Sequence, residues 1–579
     1  MNVSEQLLQI LTREGVRQIF GVAGDALNPL ISAIGKQDTI QWIRVKHEGN
    51  ASYAAFAQGE LNGNLGVCAS TVGPGALHLI NGLYNAKKER SPVLAITGQV
   101  PVRYIGTNYH QEADLQKIFD DVCEYQAVIR SPKEAPRVIL RALRIAINKK
   151  TVCRIELPAD IAIMKAENQE LVSPVFRSDS VLTPAQDKIR EAAALINKAN
   201  KIAIFGGAGC RNARDKVIEF ALKIKAPITH TLRASDVFDH DTDPVVGLTG
   251  LIGNPSGYKS VMESDLLLML GTDFPYDSFL PKNTQIIQLD IREENIGNRA
   301  PVTLGLHGDL AETLSRLEPL CETKTDDGFM NDRRKEFLHW KASIKKQANP
   351  DRAMEPIHPQ IFSGKASELA SEDALFVIDT GTSAIWASNY MSFYKKRRIL
   401  GSFNHGSMAV GLPAAIGAQF QFPEREVWAL IGDGAFNMTL HDFSTAVEYN
   451  LPIKFIVFNN SQLGFVKIEM EEVGLAPNLD ALTVKNFNFA DYAKLLGGDG
   501  IRVEHSKDVE TAIQMAKQSQ KPFIIDAVVN SGELSLPPRI GLKEATGFGI
   551  SKAKEIFEAL QGDKNQWDNV KKEIEGYFD

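Results

Sequence analysis

Short apolar runs alternate with helical patterns along the whole 579-residue chain. The clearest runs are residues 67–69, 93–96, 202–205, 266–270, 286–289, 427–431 and 453–458. This alternation predicts α/β units built on parallel sheets. Many runs end in glycine, as at Gly206, Gly271 and Gly432, and in such sheets ligand sites gather beyond the carboxyl ends of the strands. At the N-terminus Leu7, Leu8, Ile10 and Leu11 read as one face of a helix, with Ser4 as its N-cap.

Two stretches break the pattern and read as linkers. Residues 167–183 are polar and contain Pro174; residues 323–359 are charge-rich and apolar-poor and end in Pro356 and Pro359. Cutting there leaves doubly wound α/β blocks at residues 1–175, 183–335 and 355–535, each of domain size. After Pro537-Pro538 the pattern changes into an extension, residues 536–579. There is no tandem repeat and no low-complexity tract.

Composition acts mainly by exclusion. The chain is 44% hydrophobic and 23% charged, with a net charge of -7 and scattered basic residues, so nothing favours nucleic acid as a partner. Five cysteines lie far apart with no C-x-x-C pair, which fits buried free thiols in a reducing cytoplasm. No run approaches the ~18 apolar residues needed to span a bilayer. A soluble, cytoplasmic or at most surface-bound protein is expected.

The strongest chemical signal is Gly432-Asp433-Gly434-Ala435 at the end of one apolar run, with Asn459-Asn460 at the end of the next. A Gly-Asp-Gly turn lets backbone N–H groups approach a diphosphate. Asp433 and Asn460, 27 positions apart, can share one hard cation with a main-chain carbonyl near Gln462, and Mg2+ needs few protein ligands beside phosphate. A tight turn with a helix-capping aspartate is the competing reading; the Asn-Asn partner at this distance weighs against it.

This pattern resembles the thiamin-diphosphate signature of the pyruvate oxidase and acetolactate synthase family, and the resemblance spans the chain to about Phe548. It implies three Rossmann-like doubly wound parallel-sheet domains. It also implies a glutamate that binds the aminopyrimidine of the cofactor and promotes its imino tautomer. Glu48, in Val45-Lys46-His47-Glu48, matches that position, although Gly49-Asn50 depart from the acidic and small residues that usually follow. The segment from Gly406 to Pro413 resembles the one that bends the cofactor, with Met408 as the wedge and the Gly406 carbonyl accepting from the 4′-amino group. Asp379-Thr380-Gly381-Thr382-Ser383 resembles the family's second diphosphate turn, and Gly434 and Ala435 belong to the first. Gly73-Pro74-Gly75 matches the Gly-Pro-Gly turn of the first domain, where a purely structural role is equally open.

The middle block resembles the family's FAD-binding domain. The residues that carry this are Gly207, Thr231, Arg233, the run Gly250, Leu251, Ile252 and Gly253, the run Thr272, Asp273, Phe274 and Pro275, and finally Asp290 and Asp309. None belongs to a G-x-G-x-x-G motif, so the flavin rests on the resemblance and not on spacing.

Within the family, acetolactate synthases carry Leu-Gly-Met-Val and then a Trp; here Phe465 replaces the Met and Glu469 stands where the Trp would be. That favours an oxidase. The segment from Ser402 to Met408 and the run from Glu533 to Pro538 resemble the quinone-linked pyruvate dehydrogenases. Gln111 matches a residue beside the substrate. His110 replaces an aromatic wall, either as a titrating group or as a substitute of similar size.

The resemblance implies oxidative decarboxylation of pyruvate to acetate, with electrons passing through FAD to ubiquinone, by a homotetramer whose thiamin sites each use two subunits. Acetolactate synthase, a phosphate-dependent oxidase and a non-catalytic flavin-binding scaffold are the rivals. Trp567, Val570, Ile574 and Phe578, spaced 3, 4 and 4, predict an apolar helix face, which either packs on the protein or docks at the inner face of the cell membrane.

Overall fold

The computed structural model describes residues 1–167, 175–349, 355–533 and 551. They build three six-stranded sheets in which every paired strand is parallel. The first holds β1 (Gln18–Gly21), β2 (Gln41–Arg44), β3 (Gly66–Ser70), β4 (Val93–Gln99), β5 (Tyr125–Val128) and β6 (Val152–Pro158), in the order β2-β1-β3-β4-β6-β5. The second holds β7 (Ile202–Gly206), β8 (Ile228–His230), β9 (Val245–Leu248), β10 (Leu266–Leu270), β11 (Gln285–Asp290) and β12 (Leu304–His307), in the order β12-β11-β10-β7-β8-β9. The third holds β13 (Leu375–Ile378), β14 (Arg398–Gly401), β15 (Val427–Gly432), β16 (Lys454–Asn459), β17 (Asp499–Val503) and β18 (Phe523–Val528), in the order β14-β13-β15-β16-β18-β17.

The apolar runs fall on β3, β4, β7, β10, β11, β15 and β16. Strands β3, β4, β7, β10 and β16 are buried at every position, because helices cover both faces and leave no polar side to alternate with. Three doubly wound α/β domains result. All five cysteines are buried and free. Among the described residues no helix is long and apolar enough to cross a membrane.

Two local expectations are corrected. The first helix, Val3–Arg13, is capped by Asn2 and not by Ser4. Asn2 Oδ1 accepts from Glu5 N at 2.8 Å while Glu5 Oε2 accepts from Asn2 N at 3.0 Å, a reciprocal box that satisfies two free N–H groups. Ser4 is instead buried and donates to the Ala162 carbonyl. The charge-rich stretch read as a linker contains a 20-residue helix, Gly328–Gln347. Only a narrow stripe of it, with Met330 and Phe337, is buried, and its polar remainder explains the misreading. Lys259 pairs with Glu336, and Arg334 donates to the His240 carbonyl at 3.0 Å, so the helix belongs to the second domain. Pro174, residues 534–538 and the apolar face at Trp567, Val570, Ile574 and Phe578 lie outside the described residues.

One helix joins the first and third domains. Glu48–Asn62 is rich in alanine and buried on nearly all sides, as expected of a helix with no polar face. It lies against Gly411–Gln421 of the third domain, where Gly417 faces the Ala54 backbone too closely for any side chain. A continuous apolar core therefore runs from Phe20 and Phe56 to Leu412, Phe436 and Phe455.

Candidate active site

Neighbouring parallel strands deliver the first pair of motifs. Gly432 of β15 is in register with Phe458 of β16, so Asp433 and Asn459-Asn460 emerge side by side. Asp433 is the first residue of the helix Asp433–Thr439, whose N-cap is Gly432 with no side-chain cap bond, and its Oδ1 accepts from Gly434 N at 2.8 Å. Its Oδ2 does more. It crosses to accept from Ser461 N at 2.6 Å and Asn486 Nδ2 at 2.7 Å. Burial pushes the Asp433 carboxyl up to about 6 against the pull of these donors. Asn459 turns inward and donates to Asp526 at 2.8 Å, leaving Asn460, whose Oδ1 accepts from Gln462 N at 3.1 Å. Gln462 Oε1 is buried without a hydrogen-bond partner. Oxygen donors of Asp433, after β15, and of Asn460 and Gln462, after β16, thus lie at the ends of neighbouring strands, a set suited to a hard cation.

The second diphosphate turn holds a strut whose partners were not legible in the motif. Asp379, at the exit of β13, accepts from Thr380 N at 2.7 Å and Ala409 N at 3.0 Å through Oδ1, and from Gly411 N at 2.7 Å through Oδ2. It ties the turn carrying Gly381 and Thr382 to the loop carrying Gly406 and Met408. Burial lifts its carboxyl to about 7, again opposed by the backbone donors. Ser383 spends its hydroxyl on the Asp379 carbonyl at 2.8 Å. The Met408 methyl lies 3.5 Å from where a Cβ on Gly434 would stand, so Met408 overhangs the Gly-Asp-Gly turn. Gly381 (φ 132°) and Gly406 (φ 69°) both border open space, as does Gly432, and together they form a cradle that side chains would narrow.

Glu48 is the first residue of its helix and is buried. His78 Nδ1 lies 2.9 Å from its Oε2, and a Cβ on Gly75 would stand 3.0 Å from its Oε1. The Gly-Pro-Gly turn therefore makes room for this carboxylate. The atypical Asn50 has a partner of its own, Asp442 of the third domain, and Lys46 N donates to Asp442 Oδ1 at 2.9 Å. One turn further on, Tyr53 Oη meets Ser407 Oγ at 2.6 Å, with Asn81 donating to both. Among the described residues no hydrogen bond joins Glu48 to the Asp433 cluster. Gln111 (φ 62°) sits in an exposed loop of the first domain, its carbonyl against Gly73, with His110 beside it. Phe465 is half-buried on the helix Gly464–Glu472 and packs on the third-domain core; Glu469 is exposed.

In the second domain the strand order reverses between β7 and β10, which opens a crevice at their carboxyl ends. Gly207 N donates to Leu270 O at 2.9 Å and Gly209 N to Gly271 O at 3.1 Å, closing the backbones on one another. Thr272, Phe274 and Asp290 are buried around the crevice. Thr231 N donates to Gly206 O, and Asp290 Oδ1 accepts from Arg292 N at 2.9 Å. Asp273, before Phe274-Pro275, pairs with Arg299 at 3.2 Å and faces Arg90 at 3.9 Å. The turn Gly250, Leu251, Ile252 and Gly253 faces Phe274 from Gly250 and sends Ile252 onto the third-domain core. Two further candidates are engaged elsewhere. Arg233 pairs with Glu60 at 3.2 Å and Glu89 at 3.3 Å in the first domain, and Asp309 caps the helix Leu310–Leu317 through Glu312 N at 2.9 Å.

Asn486, Asp442 and His78 are the residues that sequence reasoning passed over, and for Asp379 it missed the ties to Ala409 and Gly411. Asn486 lies in an irregular loop with no motif, and its role depends on where that loop returns.

Family models for the thiamine pyrophosphate enzymes match three segments: the N-terminal TPP binding domain at residues 1–118, the central domain at 189–317 and the C-terminal TPP binding domain at 379–527. The chain is 35% identical to a putative thiamine pyrophosphate-containing protein, YdaP, of Bacillus subtilis, over 99% of each chain. It is 27% identical to a pyruvate oxidase of Lactiplantibacillus plantarum, over 96% of this chain and 93% of the relative. It is 29% identical to an acetolactate synthase of Mycobacterium bovis, over 91% and 88%.

Proposed function

The chain belongs to the thiamine pyrophosphate enzymes, and from that premise we propose that it oxidises pyruvate to acetate and CO2, passing two electrons through FAD to a quinone. The observation that carries this reading is the seat of Ile252. This residue of the candidate flavin turn packs on the same third-domain core as Phe465, which follows the Asn459-Asn460 pair by five residues. Such a seat supports electron passage between the two cofactor sites.

The residues fit the groups they would hold. Asp433, Asn460 and Gln462 offer oxygen to Mg2+. Gly381, Thr382, Gly434 and Ala435 would hold the diphosphate, Met408 would support the cofactor, and the Gly406 carbonyl would accept from its amino group. Thiamin diphosphate supplies a nucleophilic carbon and an electron sink, and FAD a two-electron acceptor. Glu48, buried at the start of its helix, would supply the carboxyl that hydrogen-bonds the aminopyrimidine and promotes its imino tautomer. In this reading Glu48, which among the described residues has no hydrogen bond to its own chain's Asp433 cluster, serves the site of a second subunit in a homotetramer. Gln111 comes with it and orients the substrate. Phe465 walls a small pocket that suits pyruvate better than a longer 2-keto acid. Pyruvate, water and quinone become acetate, CO2 and quinol. The quinone is ubiquinone, and surface contact with a membrane gives access to it.

The test is the flavin absorbance of the purified enzyme, mixed anaerobically with pyruvate, thiamin diphosphate and Mg2+. Bleaching with acetate formation, reversed by ubiquinone, is expected. Pyruvate consumed to acetolactate with the flavin still oxidised makes the protein a carboligase. A requirement for phosphate, with acetyl phosphate and peroxide formed, makes it a phosphate-dependent oxidase.

A further inference from the structure

His47, Glu48 and His78 offer ligand atoms that all lie within 4.8 Å of one another. Three segments bring them together: the exit of β2, the first turn of the helix Glu48–Asn62 and the end of the short helix Pro74–His78. His78 Nδ1 is 2.9 Å from Glu48 Oε2, and the two imidazoles stack with centroids 4.4 Å apart. The geometry points to a transition-metal site on these three side chains, where Zn2+ or Co2+ competes with the aminopyrimidine for Glu48. The competition rests on the role given to Glu48 above; the site itself does not.

Two imidazoles and one carboxylate, completed by water, are a donor set for a borderline-soft ion and differ from the all-oxygen corner at Asp433. Zinc bonds of about 2.0–2.2 Å place two ligand atoms of a tetrahedron about 3.3 Å apart. His78 and Glu48 therefore need to part by only a few tenths of an ångström. The room exists, because the His78 side chain is half-exposed while Glu48 is held in the fold. The ion replaces whatever proton His78 and Glu48 share, and that proton leaves to solvent. His47 Nδ1 accepts from Gly49 N at 3.1 Å, so ligation through this nitrogen gives up one helix-capping bond. His441, its ring centroid 6.3 Å from that of His47, stands outside the cluster. An ion seated here withdraws Glu48 from the cofactor and holds the enzyme in a form that cannot accept thiamin diphosphate.

The probe is Co2+ added to the full-length protein freed of thiamin diphosphate and Mg2+. Co2+ held by imidazoles in four- or five-coordination absorbs strongly in the visible, whereas six-coordinate, all-oxygen Co2+ at Asp433 absorbs faintly. One strong band per chain is expected, weakened tenfold or more in affinity by His78→Asn and by His47→Asn, and unchanged by His441→Asn. Thiamin diphosphate with Mg2+ removes it. Independently of the variants, Zn2+ raises the apparent Kd of the wild-type enzyme for thiamin diphosphate in proportion to its concentration. No band, or a band that survives both substitutions, overturns the site while leaving the Glu48 reading to its own test. A histidine-dependent band untouched by saturating cofactor overturns the competition and the cofactor role of Glu48 with it.

Discussion

Asn486 donates from one carboxamide nitrogen to both Asp433 Oδ2, at 2.7 Å, and Asn459 Oδ1, at 2.8 Å. Its own carbonyl is held by Asn437 Nδ2 at 2.9 Å. This strut spans three segments of the third domain and sets the carboxylate that emerges from β15 against the asparagine pair that emerges from β16.

Removing it tests whether the strut supports the cation. A hydrogen bond to a charged group is worth about 1.5–3 kcal/mol, and groups that orient metal ligands typically affect affinity by about 10–100-fold. Asn486→Ala is expected to weaken Mg2+ binding in that range while the fold survives, read from a Mg2+ titration of thiamin diphosphate binding. An affinity within twofold of wild type would sink the idea.

Glu48→Gln keeps the shape and removes the acid. General acid–base groups contribute about 10²–10⁴-fold, so pyruvate turnover should fall by that much at saturating cofactor. Turnover near the wild-type rate would remove Glu48 from the mechanism.

Tyr53→Phe cuts the 2.6 Å bond to Ser407, the neighbour of Met408, and leaves a half-buried hydroxyl with one partner fewer. A loss of about 1 kcal/mol in the order of the Met408 loop corresponds to roughly fivefold weaker thiamin diphosphate binding. Isothermal titration would measure it, and unchanged affinity would mean that Asp379 and Asn81 hold the loop without Tyr53.

Acid should weaken the second domain through two histidines. His230 Nε2 and His240 Nε2 are 3.0 Å apart and buried. His230 Nδ1 faces the Thr231 carbonyl at 3.0 Å, which assigns the shared proton to His240. Burial pushes His230 down to about 4; burial, then His230, Lys341 and Arg334, hold His240 well below the usual range. An unfolded histidine takes its proton near pH 6.5, so below that value the unfolded chain binds more protons than the folded one. Stability from this pair is complete above about pH 6.5 and drains away as the pH falls toward 4, by up to about 1.4 kcal/mol per pH unit for each histidine. Urea unfolding at pH 7 and pH 5 should show the loss, and His240→Gln should flatten it. An equal slope in the variant would place the acid sensitivity elsewhere.

Much of the architecture could be read along the chain. Strands covered on both faces are apolar along most of their length, so β3, β4, β7, β10, β15 and β16 announce themselves locally. The Gly432-Asp433-Gly434 turn, the Asn459-Asn460 pair and His47-Glu48 were likewise visible, since each is a contiguous motif at a strand end. The helix Gly328–Gln347 was missed because only a thin stripe of it is buried, and its polar surface has the composition of a linker.

The sequence by itself thus determined the three parallel-sheet domains and the short motifs at their strand ends, because local patterning responds to burial and to turn geometry. Only the tertiary structure decided which side chains meet. Asp379 ties two loops across 32 residues to Gly411, Asn486 reaches Asp433 across 53, Asn50 reaches Asp442 across 392, and Arg233 turns from the candidate flavin crevice to Glu60 and Glu89 of the first domain. Those partnerships follow from the order in which strands enter each sheet and from the packing of Glu48–Asn62 on Gly411–Gln421. Neither leaves a local signature, since a buried carboxylate or carboxamide is satisfied by whichever donor the fold brings within about 3 Å.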